Sequence, residues 1–373
     1  MINGDGGGSS VGMKLASQLT GYQQLEQRSN IIDMRSALVP SSLWLPADAE
    51  PGTVQPVALI MHPPFDTEAD VLSRMLPRAG IPVLNIAHSD ICVFEISFDP
   101  TSSIISYGKW KLRPAVSLVR HLTPNSSYGL GERPHERFAL LERAALVSAL
   151  AALAPIRLDG PRLPILAQLK VLDRAGIETP PTMVITPGEL GNRVPGWDSV
   201  VVKAMSDHFL AESDGNGLAA LPSLLTKTML TEQLPSAPGP LLVQAYVPHE
   251  AEYRIYFIDD DIHCFWVQKS DPGDLWRNPA SVDVVLCEPD VDLSAAVRCA
   301  AGALGIKYAA FDVLATESGY VFLEANMDGD WSWFEMKAKS GRISVSMLRA
   351  LRRSFVRVSG NLSPKQKVVK YAA

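Results

Sequence analysis

The chain alternates short, unbroken apolar runs with stretches in which apolar residues recur every three or four positions. Unbroken runs bounded by Gly, Pro or Asp suit buried strands, and the recurrence at three and four suits amphipathic helices. The first clear unit begins at Pro56-Val-Ala-Leu-Ile-Met-His62, a strand pattern. Thr67 to Ala79 then carries helical spacing and stops at Gly80, and Ile81 to Ile86 reads as a second strand. Strand, helix and strand within about 30 residues is a βαβ unit, which predicts a parallel sheet. Cys92 to Phe98 and Ser102 to Tyr107 predict a hairpin after it. Residues 1 to about 53, rich in Gly, Ser, Gln and Pro, read as a flexible or loosely docked extension.

Leu and Ala repeat at helical spacing from Pro134 to Ala154, and an opening proline suits a first helical turn. The break Asp159-Gly-Pro-Arg-Leu-Pro164 marks a domain boundary before a second helix, Ile165 to Ala175. Pro180 to Ile185 and Ser199 to Lys203 are β-branched strand patterns, whereas Ser206 to Gly217 is polar, Gly-containing and read as a loop. From Leu241 the texture becomes antiparallel β. Leu241–Val247, Tyr253–Ile258 and Ile262–Val267 are strands, with Asp259-Asp-Asp261 as a tight turn. A helix over Leu293–Leu304 precedes a final hairpin, Tyr308–Leu314 and Tyr320–Ala325, and a basic helix spans Ile343–Phe355. The predicted class is α/β (α+β). Its units are an extension (1–53), a βαβ-containing domain (54–160), a small lobe (161–238), an antiparallel lobe (239–358) and a tail (359–373).

Length and composition narrow the function classes. A chain of 373 residues suits two or three packed units, and 47% hydrophobic against 20% charged residues is globular. A formal net charge of −6 excludes the electrostatic footprint of a nucleic-acid binder, though not a local basic pocket. Four cysteines without a CxxC read as reduced thiols rather than metal ligands or disulfides. The most apolar stretch, Ala139 to Ile156, is interrupted by Glu142 and Arg143 and is too short to span a bilayer. No signal-peptide pattern opens the chain. The expectation is a soluble, cytoplasmic protein without nucleic-acid or membrane partners.

Candidate chemistry concentrates late in the sequence. Glu324 and Asn326 stand two apart in Phe322-Leu-Glu-Ala-Asn326, so they share one face of a strand, and Asp312 can face them from its partner. Three hard oxygen ligands suit magnesium rather than zinc. Lys203 ends an apolar strand beside a polar loop, placed to hold an anionic oxygen or to reach water. Arg254 interrupts another apolar strand, either to clamp a phosphate or carboxylate or to form a cross-strand ion pair. Trp331 and Trp333 suit either the wall of a substrate cleft or core packing, while His62, His208, His249 and His263 show no ligand spacing.

In order, Lys203, Gln244-Ala-Tyr-Val247, Glu252-Tyr-Arg254, Asp312 and Glu324-Ala-Asn326 resemble the ATP-grasp superfamily. The stretch Phe322-Leu-Glu-Ala-Asn-Met-Asp-Gly-Asp-Trp-Ser-Trp-Phe-Glu335 further resembles the E-x-N-x-x-G-x-W-x-W/I-x-E motif of microviridin-type maturases, the graspetide synthetases. Asp274-Leu-Trp-Arg277 is similar to their Asp-Trp-Arg segment with one extra residue. The resemblance covers about residues 55 to 355 and implies a pre-ATP-grasp domain followed by two lobes clamping ATP. It assigns Asp312, Glu324 and Asn326 to magnesium, two ions being usual with ATP, and Lys203 to the phosphates. Gln244, Ala245, Tyr246 and Val247 would form the hinge beside adenine, with Glu250 or Glu252 at the ribose. Arg254 and Arg277 would hold the transferring phosphate or a substrate carboxylate.

Three features depart from the superfamily. Pro164 and Ile165 stand where the helix usually begins with Lys, leaving Arg162 or Lys170 as substitutes. Ala245 replaces the hinge acid, and the presumptive lid, Ser206 to Gly217, offers only Gly215 and Gly217. The implied activity is ligation of a carboxylate to an amine or alcohol through an acyl phosphate. The implied substrate is a peptide such as a ribosomal precursor with a leader segment, and a homodimer is compatible. Adding a free amino acid to an acceptor is the first alternative. A non-catalytic nucleotide- or peptide-binding scaffold is the second.

Overall fold

The computed structural model describes residues 22–25, 41–63, 66–88, 96–121, 134–186, 196–205, 209–211, 217–220, 222–233, 239–272, 274–360 and 366–369. The predicted βαβ unit is present: β3 (Val54–His62), α1 (Thr67–Arg78) and β4 (Val83–Ala87), with β3 and β4 parallel. Asp66 caps α1 by accepting the Ala69 N–H at 2.7 Å, which satisfies one orphan donor of the first turn. These strands lie inside a seven-stranded sheet of order β19-β2-β4-β3-β7-β6-β5. Its other members are β2 (Ser42–Pro46), β5 (Ile96–Asp99), β6 (Ile104–Tyr107), β7 (Trp110–Val119) and β19 (Gln366–Val369).

Three of these strands depart from the sequence reading. Ser42–Pro46 lies in the stretch read as an extension, yet it pairs antiparallel with β4 and buries Leu43 and Leu45 completely. Gln366–Val369, read as tail, pairs with that same strand. Trp110–Val119 was not expected, because Lys111, Arg113 and Pro114 disguise it. The pairing register shifts between Val57 and Ala58, opposite Pro114, and a bulge is where a ladder tolerates proline. The hairpin survives with shorter arms, β5 and β6; Cys92 lies outside the described residues.

After α2 (Pro134–Ala152) and α3 (Ile165–Arg174), a four-stranded antiparallel sheet has order β12-β9-β13-β8. It comprises β8 (Thr182–Ile185), β9 (Ser199–Lys203), β12 (Ser223–Thr226) and β13 (Leu241–Ala245), backed by α4 (Lys227–Gln233). The expected loop at Ser206–Gly217 instead contributes strands. β10 (Phe209–Ala211) and β11 (Gly217–Ala220) pair antiparallel, and β1 (Tyr22–Leu25) pairs with β11. Polar, glycine-bearing text hides such pairing, because a small three-stranded ribbon need not carry an apolar face. His208, Gly215 and the intervening residues 212–216 fall outside the described residues.

The third sheet has order β16-β15-β14-β17-β18 and holds most of the chemistry. Its strands are β14 (Ala251–Ile258), β15 (Asp261–Gln268), β16 (Asp283–Cys287), β17 (Tyr308–Thr316) and β18 (Gly319–Asn326). Asp259 and Asp260 turn β14 into β15 with φ of 46° and 81°, both left-handed as a tight hairpin turn requires. One face packs Ile255, Phe257, Phe311 and Phe322 against α6 (Val291–Leu304), which ends at Gly305 with φ +67°. The other face packs Tyr256, Phe265, Tyr308 and Ala310 against Phe334 of α7 (Ser332–Lys337) and Met347 of α8 (Arg342–Ser359). Each fully buried aromatic or aliphatic side chain there contributes about 1.5–3 kcal/mol of transfer free energy. The short helix α5 (Asp274–Arg277) bridges β15 and β16. Among the described residues, no helix is long and apolar enough to cross a membrane.

Candidate functional site

Residues opposite one another in adjacent antiparallel strands point to the same face, so register decides which side chains meet. Arg254 pairs with Asp312 across β14 and β17, and Asp312 pairs with Glu324 across β17 and β18. The three therefore form a row across one face, and Asn326 follows two residues beyond Glu324. A register shift between Asp312 and Val313 marks a bulge at this point, a device that re-aims side chains. Arg254 Nη1 donates to both Asp312 oxygens at 2.9 Å, and its guanidinium lies 5.5 Å from the ring centres of Tyr256 and Phe334. Burial opposes the Arg254 charge, but Asp312 outweighs it and raises the pKa. Arg254 thus makes a cross-strand ion pair, but with Asp312 of the candidate metal row rather than with the surface acid that one reading of the sequence expected.

Asp312 and Glu324 of this row, but not Arg254 or Asn326, line a cleft between the four- and five-stranded sheets, roughly 750 Å³ including its solvent-side space. Val201 and Lys203 enter it from β9, Gln244 and Ala245 from β13, and Tyr246, Val247 and His249 from the connection beyond. Glu252, Lys269, Asp312, Leu314, Leu323 and Glu324 enter from the third sheet. Of the two ribose candidates, Glu252 lines the cleft, whereas Glu250 is exposed outside it. Glu252 accepts a 2.6 Å bond from Lys269. Sequence reasoning missed Lys269, which stands one residue beyond a strand end; a cation there, before a Pro-Gly turn, was the available signal.

The hinge is more restricted than expected. Ala245 N–H donates to Pro181 O at 2.9 Å and Tyr246 N–H to Ser199 O at 3.0 Å, while Val247 O accepts from His249 at 2.8 Å. Only the Val247 N–H is without a partner among the described residues in that segment. Gln244 is buried and donates to Thr182 Oγ1 at 3.1 Å. Neither substitute for the usual helix lysine lines the cleft, since Lys170 is exposed and Arg162 pairs with Asp328 elsewhere. The Arg277 side chain lies outside the described residues, although its backbone belongs to α5.

Asp312 and Glu324 converge as two hard carboxylate donors, while Asn326 Oδ1 accepts the Asp328 N–H at 2.9 Å and retains a second lone pair. The donor set fits a magnesium–nucleotide. Among the described residues no cluster of three or more His, Cys, Asp or Glu is arranged around a metal position, so the amide is needed to complete a triad.

A second charged cluster sits where the seven-stranded sheet meets the loop after β18. Arg120, 1% exposed, donates to Asp66 and Asp330 at 2.7 Å, and lies 4.6 Å from the Trp331 ring centre. Glu68 accepts the Trp331 and Ser332 N–H groups at 3.1 and 2.9 Å. Arg162 holds Asp328, whose pKa is lowered because that pairing outweighs burial. His121, at φ 48°, donates through Nε2 to Asp330 at 2.7 Å. Burial would raise the Asp330 pKa, but His121 and Arg120 bring it down to about 2. Glu335, the last residue of the sequence motif, caps α8 by accepting the Ile343 and Ser344 N–H groups at 2.6 and 3.0 Å. Trp331 is fully buried and Trp333 half-buried, which favours core packing over a cleft wall.

Gly329 lies at the junction of these two clusters. A Cβ there would meet Ala310 Cβ at 2.3 Å and Arg254 Nη2 at 2.9 Å, so only glycine permits this approach.

No protein-family profile matches the sequence, and no curated protein matches it. Solved structures do. The ATP-grasp ligase PsnB, complexed with a phosphomimetic variant of minimal precursor, Mg and ADP, is similar with a TM-score of 0.64 at 19% identity. That likeness covers 81% of this chain and 99% of PsnB. The macrocyclase MdnC from Microcystis aeruginosa MRC, bound with precursor peptide MdnA, gives 0.65 at 19%, covering 80% of this chain and all of MdnC. A Chryseobacterium gregarium RiPP-associated ATP-grasp ligase, in complex with ADP and a leader and core peptide, gives 0.60 at 18%, over 80% and 97% of the two chains. The chain therefore shares the fold of these ATP-grasp ligases.

Proposed function

We propose that this chain is an ATP-dependent ligase that joins a carboxylate to an amine or alcohol through an acyl phosphate, with a peptide as substrate. The observation that carries the reading is the cleft. It combines apolar walls for a base with two lysines for phosphates and an acidic row for a metal–nucleotide. The fold shared with peptide-bound PsnB and MdnC supports a peptide substrate.

Val201, Leu314 and Leu323 offer apolar surface to a purine, and the Val247 N–H offers a hydrogen bond. Lys203, 8% exposed at a strand end, would hold an anionic phosphate oxygen, and Lys269 would join it. Asp312, Glu324 and Asn326 would hold magnesium, which neutralises charge on the moving phosphoryl group. A carboxylate resists nucleophiles because of its own charge, and phosphorylation removes that obstacle. Arg254, beside Asp312, would then face the transferring phosphoryl or the substrate carboxylate, with Arg277 on α5 as a second candidate. The protein mainly positions these groups and keeps water from the activated carbonyl.

We further infer that the peptide is a ribosomal precursor with a leader segment, and that its Asp or Glu side chains become ester- or amide-linked. Intact mass after incubation with ATP, magnesium and such a peptide tests this. Loss of one water per bond supports crosslinking, whereas a gain of one amino-acid residue mass supports the alternative ligase. Absence of phosphate release, with nucleotide binding that survives Asp312→Ala and Glu324→Ala, would reduce the protein to a scaffold. The proposal that it forms a homodimer is tested by its mass in solution.

A further inference from the structure

Cys264 and Cys287 face each other across β15 and β16 as direct register partners. Cross-strand partners on one face bring their Cβ atoms to about 4.5–5.5 Å, within a small adjustment of disulfide geometry. Both are free thiols; Cys264 is fully buried and Cys287 half-buried on the sheet's outer strand. With both protonated, Cys287 donates to the Cys264 carbonyl at 3.6 Å. Once Cys287 ionises, the Cys264 thiol can donate to it instead. That hydrogen bond lowers the Cys287 pKa and, together with burial, raises that of Cys264. The pair therefore consists of a half-accessible, thiolate-prone sulfur and a protonated one held behind it. Such an arrangement has an attacking and a resolving thiol.

We propose that Cys264 and Cys287 form a thiol-modification site that closes reversibly to a cross-strand disulfide by exchange with a low-molecular-weight disulfide such as oxidised glutathione. The Cys287 thiolate attacks one sulfur of the oxidant and expels the other half as a thiolate, which takes a proton from water. A mixed disulfide then occupies Cys287. Its formation removes the negative charge that kept Cys264 protonated. Cys264 loses its proton to solvent and attacks Cys287 Sγ, releasing the second glutathione. Two protein thiols are oxidised and one disulfide is reduced to two thiols, so electrons and protons balance.

The site is distant from the cleft in chemistry but not in connectivity. The segment between the two cysteines carries Lys269, Pro272 and Leu275, which line the cleft. Closure would tie β16 to β15 and so fix both ends of that segment.

The test uses the full chain with Cys92→Ser and Cys299→Ser, so that this pair is the sole dithiol. After oxidised glutathione, intact mass should fall by two hydrogens, peptide mapping should link the two cysteines, and dithiothreitol should reverse the change. Thermal unfolding of the oxidised form should move up on the order of 5 °C. Adding Cys264→Ala should trap a stable glutathione adduct on Cys287, and adding Cys287→Ser should abolish reaction. A persistent adduct on Cys287 with Cys264 intact, or no reaction of either thiol, overturns the proposal. Neither readout depends on ligase activity, so failure here leaves the proposed function standing.

Discussion

The cleft and the seam around Arg120, where the seven-stranded sheet meets the loop after β18, are built from the same residue types but differ in how much of their charge is already paired. In the cleft, the Lys203 and Glu324 side chains and the Val247 N–H have no hydrogen-bond or ion-pair partner among the described residues, whereas Lys269 pairs with Glu252 and Asp312 with Arg254. At the seam, Arg120 is bound by Asp66, Glu68 and Asp330 and covered by Trp331, with its side chain 1% exposed. Charge held ready for a ligand contributes little to folding. Charge that is buried and paired costs dearly when one partner is removed. The difference separates Lys203 and Glu324 from the residues that hold the scaffold, without reference to any relative.

That contrast can be broken from both sides. Glu324→Ala should lower ATP-dependent phosphate release by on the order of a thousandfold, with little shift in thermal unfolding. A large stability loss instead would erase the distinction. Arg120→Met should do the reverse, destabilising by about 3–5 kcal/mol in a denaturant titration because Asp66 and Glu68 are left buried without their counter-charge. Adding Asp66→Asn should recover part of that loss.

Acid provides a third probe. Burial, then the charges of His62 and Arg162, lowers the His88 pKa from 6.5 to about 3. Between those values the unfolded chain binds a proton that the folded chain refuses. Stability is therefore complete above pH 6.5 and is lost as pH falls towards 3, by roughly 5 kcal/mol for this group alone. His62 shifts in the same direction. His88→Gln should flatten that slope in urea titrations run across the window. Gly329→Ala joins the two regions, and overpacking of this kind costs about 1–3 kcal/mol. Because Arg254 Nη2 is, after Ala310 Cβ, the next atom met, phosphate release should fall as well. The smallest effect belongs to neither region: Arg342→Ala breaks an exposed pair with Glu288 and should change stability by less than about 0.5 kcal/mol.

Much of the third sheet was legible because its strands are long, apolar and separated by strong turn text such as Asp259-Asp-Asp261. The Asp312, Glu324 and Asn326 face was legible for the same reason, since a two-residue period is a property of the local chain. What remained hidden depends on distant partners. Trp110–Val119 reads poorly because Pro114 is accommodated by a bulge opposite β3. Nothing local marks Arg120, whose partners Asp66, Glu68 and Asp330 arrive from two other elements. The hinge looked open because nothing local reveals that Pro181 and Ser199 already take two of its N–H groups. Glu335 closes the motif without a role assigned from sequence, and its bonds show a helix cap.

The outermost strand of the first sheet, Gln366–Val369, pairs with Ser42–Pro46 near the other extreme of the sequence. During synthesis, the βαβ unit can form early, but the Ser42–Pro46 edge stays open until residues 366–369 leave the ribosome. Nascent chains would expose a strand rich in Leu and Trp while the intervening residues are made. A tag or truncation at residue 366 or beyond is thus an alteration of the first domain, and aggregation during expression is where its effect would surface.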